Sequence, residues 1–155
     1  MGGRRLFFSG IGGSGVSAIA CFMADRGHAV AGSDRAFDND TEHPFKKILK
    51  SKGVSLFPQD GTGIEKTLDL VVFSTAVEQD TPEYIKAKSL GLPIMTRPDY
   101  LAEIVGEFNT VAVSGTSGKS TASGVLAFLM KRLGMGPNFI GGGRVKDLKS
   151  PSNPG

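Results

Sequence analysis

The sequence predicts an open, doubly wound parallel α/β sheet followed by the beginning of a second α/β unit. Three observations predict it. Short apolar runs that read as strands alternate with segments whose apolar residues recur at helical spacing. Glycines cluster at two junctions between such a run and the helical segment after it. The alternation also restarts after residues 106–109, which places a boundary between units 1–107 and 108–155.

Residues 6–9 are the first apolar run, and they stop at a glycine cluster. From Gly15 onward Val16, Ile19, Ala20 and Met23 recur at helical spacing, and Gly27 punctuates the helix end. Residues 29–33 read as a second strand ending at Asp34. Thr41 is a candidate cap for a helix running through Phe45, Ile48 and Leu49 to Lys52, stopped by Gly53, with a third strand at 54–57. Residues 68–74 are apolar on both faces, as a central strand of a parallel sheet must be. Thr81-Pro82 is a cap followed by a first-turn proline, leading through Tyr84, Ile85 and Ala87 to Gly91. Residues 93–96 form a fifth strand, and Pro98 opens a helix carrying Tyr100, Leu101, Ile104 and Val105. Parallel strands need crossovers of about this length, so helices are expected on both faces. The second unit then reads as a strand at 110–114, a loop at 115–118 and a helix from 119 to 133 stopped by Gly134. Residues 139–155 close no further strand–helix unit.

Composition excludes several classes. With 39% hydrophobic and 21% charged residues the chain is that of a globular protein, neither disordered nor fibrous. A formal charge of +3 without a dense basic block argues against nucleic acid as a partner. No segment reaches membrane-spanning length, so no membrane role is expected. The single cysteine, Cys21, lies in an apolar helical run and reads as a buried thiol, which fits a reducing cytoplasm. His28 and His43 have no companion ligand residues at metal spacing.

The first glycine cluster, Gly10-Ile-Gly12-Gly13-Ser14-Gly15, fits G-x-G-x-x-G between a strand and a helix. One glycine allows the tight turn, one lets backbone approach a diphosphate, and one permits close helix packing, while N–H groups at the helix start face the anion. Asp34 ends the next strand 19 residues beyond Gly15, close to the roughly 20 expected of an acid that binds a ribose hydroxyl. This is a Rossmann-like arrangement, and the turn alone leaves open whether the diphosphate belongs to NAD(P), FAD or a UDP-sugar.

The second cluster, Gly115-Thr116-Ser117-Gly118-Lys119-Ser120-Thr121, has the architecture of a P-loop. Backbone N–H groups would cradle phosphate oxygens, Lys119 would neutralise the terminal phosphates, and the Ser120 hydroxyl would face Mg2+. Val113 stands where the first glycine of the usual motif would be, so the loop is shorter.

A shortened Gly-Thr-x-Gly-Lys-Ser-Thr loop downstream of a nucleotide-binding α/β unit resembles the Mur ligase family. Phe8-Ser9-Gly10-Ile11-Gly12-Gly13-Ser14-Gly15, Gly32-Ser33-Asp34, Ser74-Thr75-Ala76-Val77 and the Arg97-Pro98-Asp99 corner carry the same resemblance over essentially the whole chain. Most similar are the ligases that attach L-alanine or a recycled tripeptide to UDP-N-acetylmuramate, although Ser117 replaces a histidine common in the L-alanine ligases. The resemblance implies that the first unit binds UDP-N-acetylmuramate and the second binds Mg-ATP. ATP would phosphorylate the muramyl carboxylate, and the amine of an amino acid or peptide would attack the acyl phosphate. Gly12, Gly13, Ser14 and Gly15 would hold the diphosphate, Asp34 would address the uridine, and Ser74 and Thr75 would line the crevice. Gly115, Thr116, Ser117, Gly118, Lys119, Ser120 and Thr121 would hold ATP, with Lys119 also the catalytic cation and Ser120 the Mg2+ ligand.

The family's acidic Mg2+ ligand, catalytic lysine and amine-binding domain are not matched in this sequence, so the chain is expected to be an amino-terminal fragment inactive by itself. A NAD(P)-dependent oxidoreductase would account for the first motif but not for Gly-Lys-Ser-Thr; a non-catalytic nucleotide-binding module is the remaining reading. The aliphatic residues of 110–134 must be hidden, either on the edge of the first unit or against a second copy in a homodimer.

Overall fold

A computed structural model describes residues 2–39, 43–141, 145, 148 and 152–153. Strands β1 (Arg5–Ser9), β2 (Ala29–Ser33), β3 (Ser55–Phe57), β4 (Leu70–Phe73) and β5 (Ile94–Thr96) form one sheet in the order β3-β2-β1-β4-β5. All four pairings are parallel. The order reverses between β1 and β4, and open sheets of this kind bind ligands in the crevice beyond the strand ends at such a switch point.

Alternation along the strands divides the core. Leu6 and Phe8 of β1 and Leu70 and Val72 of β4 point to one face. There they meet α1 (Ser14–Asp25), α3 (Pro44–Ser51) and α5 (Arg97–Gly106) through Ile19, Leu49, Tyr100 and Ile104. Phe7, Val71 and Phe73 point to the other face, against Ala87 of α4 (Pro82–Ser89) and Ile64. Central strands covered on both sides must be apolar at every position, and all four residues of β4 are buried. Each large aliphatic or aromatic side chain so buried is worth roughly 1.5–3 kcal/mol. Cys21 is fully buried in the first cluster, and burial pushes its thiol up to about 11. A half-buried ion pair, Lys52 Nζ to Asp25 at 2.6 Å, ties the end of α3 to the end of α1.

Several elements depart from expectation. A short helix, α2 (Arg35–Asn39), follows Asp34 directly. Thr41, the expected cap, lies outside the described residues, and α3 begins at Pro44 after His43. The crossover from β3 to β4 contains no helix; residues 58–69 run as turns, anchored by the fully buried Ile64. Residues 110–114 form no strand, because among the described residues no neighbouring strand offers them a hydrogen-bonding edge. The terminal stretch instead supplies β6 (Phe139–Ile140) and β7 (Ser152–Asn153), which pair antiparallel and lie against α1.

Helix α6 (Lys119–Arg132) is where expected, but docking hides only part of the 110–134 segment. Leu126, Ala127 and Met130 face α5 across an apolar cavity of about 460 Å³ that contains none of the predicted site residues. Val111, Val125, Leu129 and Leu133 remain exposed, at 69%, 52%, 51% and 77%. Packing on the first unit is thus the incomplete half of the expectation.

His28, between α1 and β2, accepts a hydrogen bond at Nδ1 from the Arg4 N–H at 3.0 Å. Burial lowers its pKa below the ordinary 6.5, and the nearby Arg26 and Arg4 charges lower it further against the opposing pull of Glu107. Because folding favours the neutral imidazole, its contribution to stability is complete above pH 6.5 and is lost as pH falls through the depressed folded value. The melting temperature of the wild type should therefore fall on acidification from about pH 7 to about pH 5 more steeply than that of His28→Asn. Asparagine keeps an acceptor for the Arg4 N–H and cannot titrate; parallel pH–melting curves for the two would contradict this assignment.

Candidate functional site

At the carboxyl edge of the sheet the three central strands end in serines. Ser9 and Ser33 are directly paired in register, and Ser74 donates its N–H to the Ser9 carbonyl at 3.0 Å. Leaving β1, the chain turns back on the end of β2: the Gly10 and Ile11 N–H groups both donate to the Ser33 carbonyl, at 2.9 and 3.1 Å. Gly10 adopts φ +80°, a left-handed conformation that side chains disfavour. Gly13 precedes α1 in extended conformation, and the first helical bond runs from the Ser17 N–H to the Gly13 carbonyl. The N–H groups of Ser14, Gly15 and Val16 therefore point out of the helix without intrahelical partners. No acidic residue occupies that first turn.

Asp34, at the end of β2, stands beside the turn and is bonded to it. Its Oδ2 accepts the Gly12 N–H at 2.7 Å and its Oδ1 accepts the Ala36 N–H at 2.9 Å, so the carboxylate braces the turn and starts α2. Close approach at Gly12 is accordingly made by Asp34: a Cβ there would lie 2.8 Å from Oδ2 and 3.2 Å from Phe37. Ser74 has a comparable local task, with its Oγ accepting the Ala76 N–H at 3.3 Å.

Beside this turn lies a cleft of about 190 Å³ that brings Gly10, Gly13, Asp34 and Ser74 together. Gly12, Ser14, Gly15 and Thr75 are outside its lining. Arg35, Gln59, Glu78 and Thr81 complete it, and the sequence had singled out none of them as site residues. Their only advance signal was position just after strand ends, at the edge where crevices form. Beneath the cleft, the fully buried Glu83 accepts the Ser33 hydroxyl hydrogen at 2.9 Å, and its Oε2 has no partner. At Gly15 the close neighbour is the Arg97 side chain, not a strand.

The second turn is separate and exposed from Gly115 to Thr121. Gly118 caps α6 at φ +75°, where a side chain would be strained. Lys119 Nζ donates back to the Gly115 and Thr116 carbonyls at 2.6 and 3.3 Å, so the ammonium is folded onto its own loop. Ser120 and Thr121 are exposed in the first helical turn, while Ser123 bonds to the Lys119 carbonyl. Among the described residues no three His, Cys, Asp or Glu side chains converge as a metal cluster.

Two glycine substitutions separate the roles in the first turn. Gly12→Ala forces a methyl into the Asp34 carboxylate and should destabilise the chain by about 1–3 kcal/mol. Gly13→Ala, whose methyl would meet only the Gly10 carbonyl at an ordinary 3.6 Å, should melt within about 0.5 kcal/mol of wild type. Equal melting temperatures for the two variants would contradict the bracing role of Asp34.

Comparison with known proteins identifies the family. Residues 6–109 match the model of the Mur ligase family, catalytic domain. The UDP-N-acetylmuramate–L-alanine ligase of Carboxydothermus hydrogenoformans is 39% identical over 142 residues, covering 91% of this chain and 30% of that protein. The crystal structure of the UDP-N-acetylmuramate-alanine ligase MurC from Thermotoga maritima superimposes with a TM-score of 0.87 at 30% identity, over 97% of this chain and 35% of that one. A murein peptide ligase from Psychrobacter arcticus superimposes with a TM-score of 0.81 at 26% identity, over 94% and 31% of the two chains. The chain thus spans about a third of the length of these relatives, and its sheet, its first turn and the family match over 6–109 together place it in the Mur ligase family.

Proposed function

We propose that this chain provides the UDP-N-acetylmuramate-binding unit and the ATP phosphate loop of a ligase that joins an amino acid or peptide amine to the muramyl carboxylate in peptidoglycan synthesis or recycling. The observation that carries the proposal is the presence of two independent anion-receptive turns in one chain, each opening a helix of twelve or more residues. A helix N-terminus with free N–H groups favours phosphate. Two such turns suit a reaction with two phosphorylated substrates, whereas an oxidoreductase leaves the second unused.

In the first turn the Gly12 N–H is taken by Asp34, so the diphosphate donors are Ser14 and Gly15, with Gly12 and Gly13 shaping the approach. Asp34 and Ser74 line the crevice where the uridine and sugar would lie, with Thr75 next to Ser74 in the chain. In the second turn, Gly115, Thr116, Ser117, Gly118, Ser120 and Thr121 fit a triphosphate because the backbone is open there and nothing packs on Gly118. Lys119 would exchange its two loop carbonyls for phosphate oxygens. Ser120 is the side chain placed for Mg2+, which supplies charge neutralisation to the phosphates when bound. Self-association through the exposed Val125, Leu129 and Leu133 stripe belongs to the same reading, and sedimentation equilibrium would detect it as a mass rising with concentration.

Parallel calorimetric titration with UDP-N-acetylmuramate, ATP and NAD tests the proposal. The first two should bind and NAD should not; NAD binding without UDP-N-acetylmuramate binding would overturn it. Lys119→Ala should weaken ATP by roughly tenfold or more while leaving UDP-N-acetylmuramate affinity unchanged, because the two turns share no residue. Loss of the UDP-sugar with ATP retained would reverse the assignment of the turns.

A further inference from the structure

Arg97 opens α5 at the end of β5, held there by the Thr96 cap, which bonds Asp99, and by Pro98 in the first turn. Its side chain reaches the first turn of α1. A Cβ built on Gly15 would lie 3.6 Å from both Cδ and Nη1 of Arg97 and 3.9 Å from Cζ. The arginine stem and guanidinium thus lie over the start of α1, at ordinary contact distance from the Gly15 position.

This placement is electrostatically unfavourable by itself. The N-terminus of a helix carries positive partial charge, which disfavours a cation, and α1 has no acidic residue in its first turn to compensate. Arg4, Arg5 and Arg26 each pair with a glutamate, Glu103, Glu65 and Glu107 respectively. Arg97, though partly buried, makes no hydrogen bond or ion pair among the described residues. A partly desolvated guanidinium held against a helix N-terminus is relieved by an anion that contacts both. Its planar fork suits the oxygens of a phosphate group.

We infer that Arg97 is the cationic arm of the first phosphate turn, binding the same diphosphate that the Ser14 and Gly15 N–H groups face. This inference rests on the proposal that the turn holds a nucleoside diphosphate. It assigns the turn to a ligand with a diphosphate group and makes Arg97 a discriminator against nucleosides that lack one.

Binding of UDP and of uridine to wild type, Arg97→Gln and Arg97→Lys tests it, with calorimetry for UDP and ligand-observed NMR for uridine. Arg97→Gln should lose roughly ten- to hundred-fold in UDP affinity, with Arg97→Lys intermediate and uridine binding unchanged. The melting temperature of Arg97→Gln without ligand should be equal to or above that of wild type, since a cation leaves the helix N-terminus. Wild type and Arg97→Gln binding UDP equally would overturn the role of Arg97 alone. Wild type failing to bind UDP would overturn the underlying reading and this inference with it. Equal losses for UDP and uridine would show that Arg97 shapes the crevice and not the diphosphate, which also overturns it.

Discussion

The end of β2 organises everything around the first turn. Ser33 offers one carbonyl oxygen to two successive N–H groups of the chain leaving β1, and Asp34 takes a third N–H with its carboxylate. Net contributions of backbone hydrogen bonds are about 0.5–1.5 kcal/mol each, and a bond to a charged acceptor reaches about 1.5–3 kcal/mol, so this corner outweighs the cost of holding Gly10 and Gly12 in one conformation. The bonds are possible only because Ser9 and Ser33 end their strands in register. A one-residue slip between β1 and β2 would remove the corner and turn the side chains of the displaced strand to the wrong face.

Below the corner, the Ser33 hydroxyl reaches the buried Glu83 at the start of α4, which joins the second face of the sheet to the turn on its edge. Gln59 approaches Ser9 in the same layer at 3.4 Å. Buried polar groups are costly unless bonded, and here they form a short network beneath the cleft. The unpartnered Oε2 of Glu83 is the one incomplete member of that network among the described residues. The cleft is thus backed from below by the buried Ser33–Glu83 pair, while Gln59 also lines it.

The two anion-receptive turns differ in how they are held. The first is braced by a neighbouring strand, a carboxylate and the layer beneath, so its shape belongs to the tertiary fold. The second is held by local contacts: Lys119 on the carbonyls three and four residues before it, and Ser123 on the helix start. Local bonds of exposed groups rearrange at little cost, which suits the exchange of loop carbonyls for phosphate oxygens proposed for Lys119. The unpaired 110–114 segment and the exposed aliphatic stripe of α6 accord with that looser construction.

The sequence alone determined the sheet class, the five strands, the helices bounded by proline and glycine, and both turns, because each is encoded by local periodicity or by residues with restricted backbone preferences. Val71 and Val72 announced a strand covered on both faces, and Gly118-Lys119 announced a helix start. Tertiary structure decided what lies across space from each of those residues. Spacing placed Asp34 near the turn, but only the pairing of β1 with β2 turned its carboxylate onto the Gly12 N–H. Nothing local marked Gln59 or Arg97 as neighbours of residues 9–15, or Glu83 as a partner of Ser33, because contacts across 50 or 80 positions leave no periodicity in the chain. The strand expected at 110–114 failed for the same reason: strand propensity is local, whereas the hydrogen bonds that make a strand belong to a partner elsewhere.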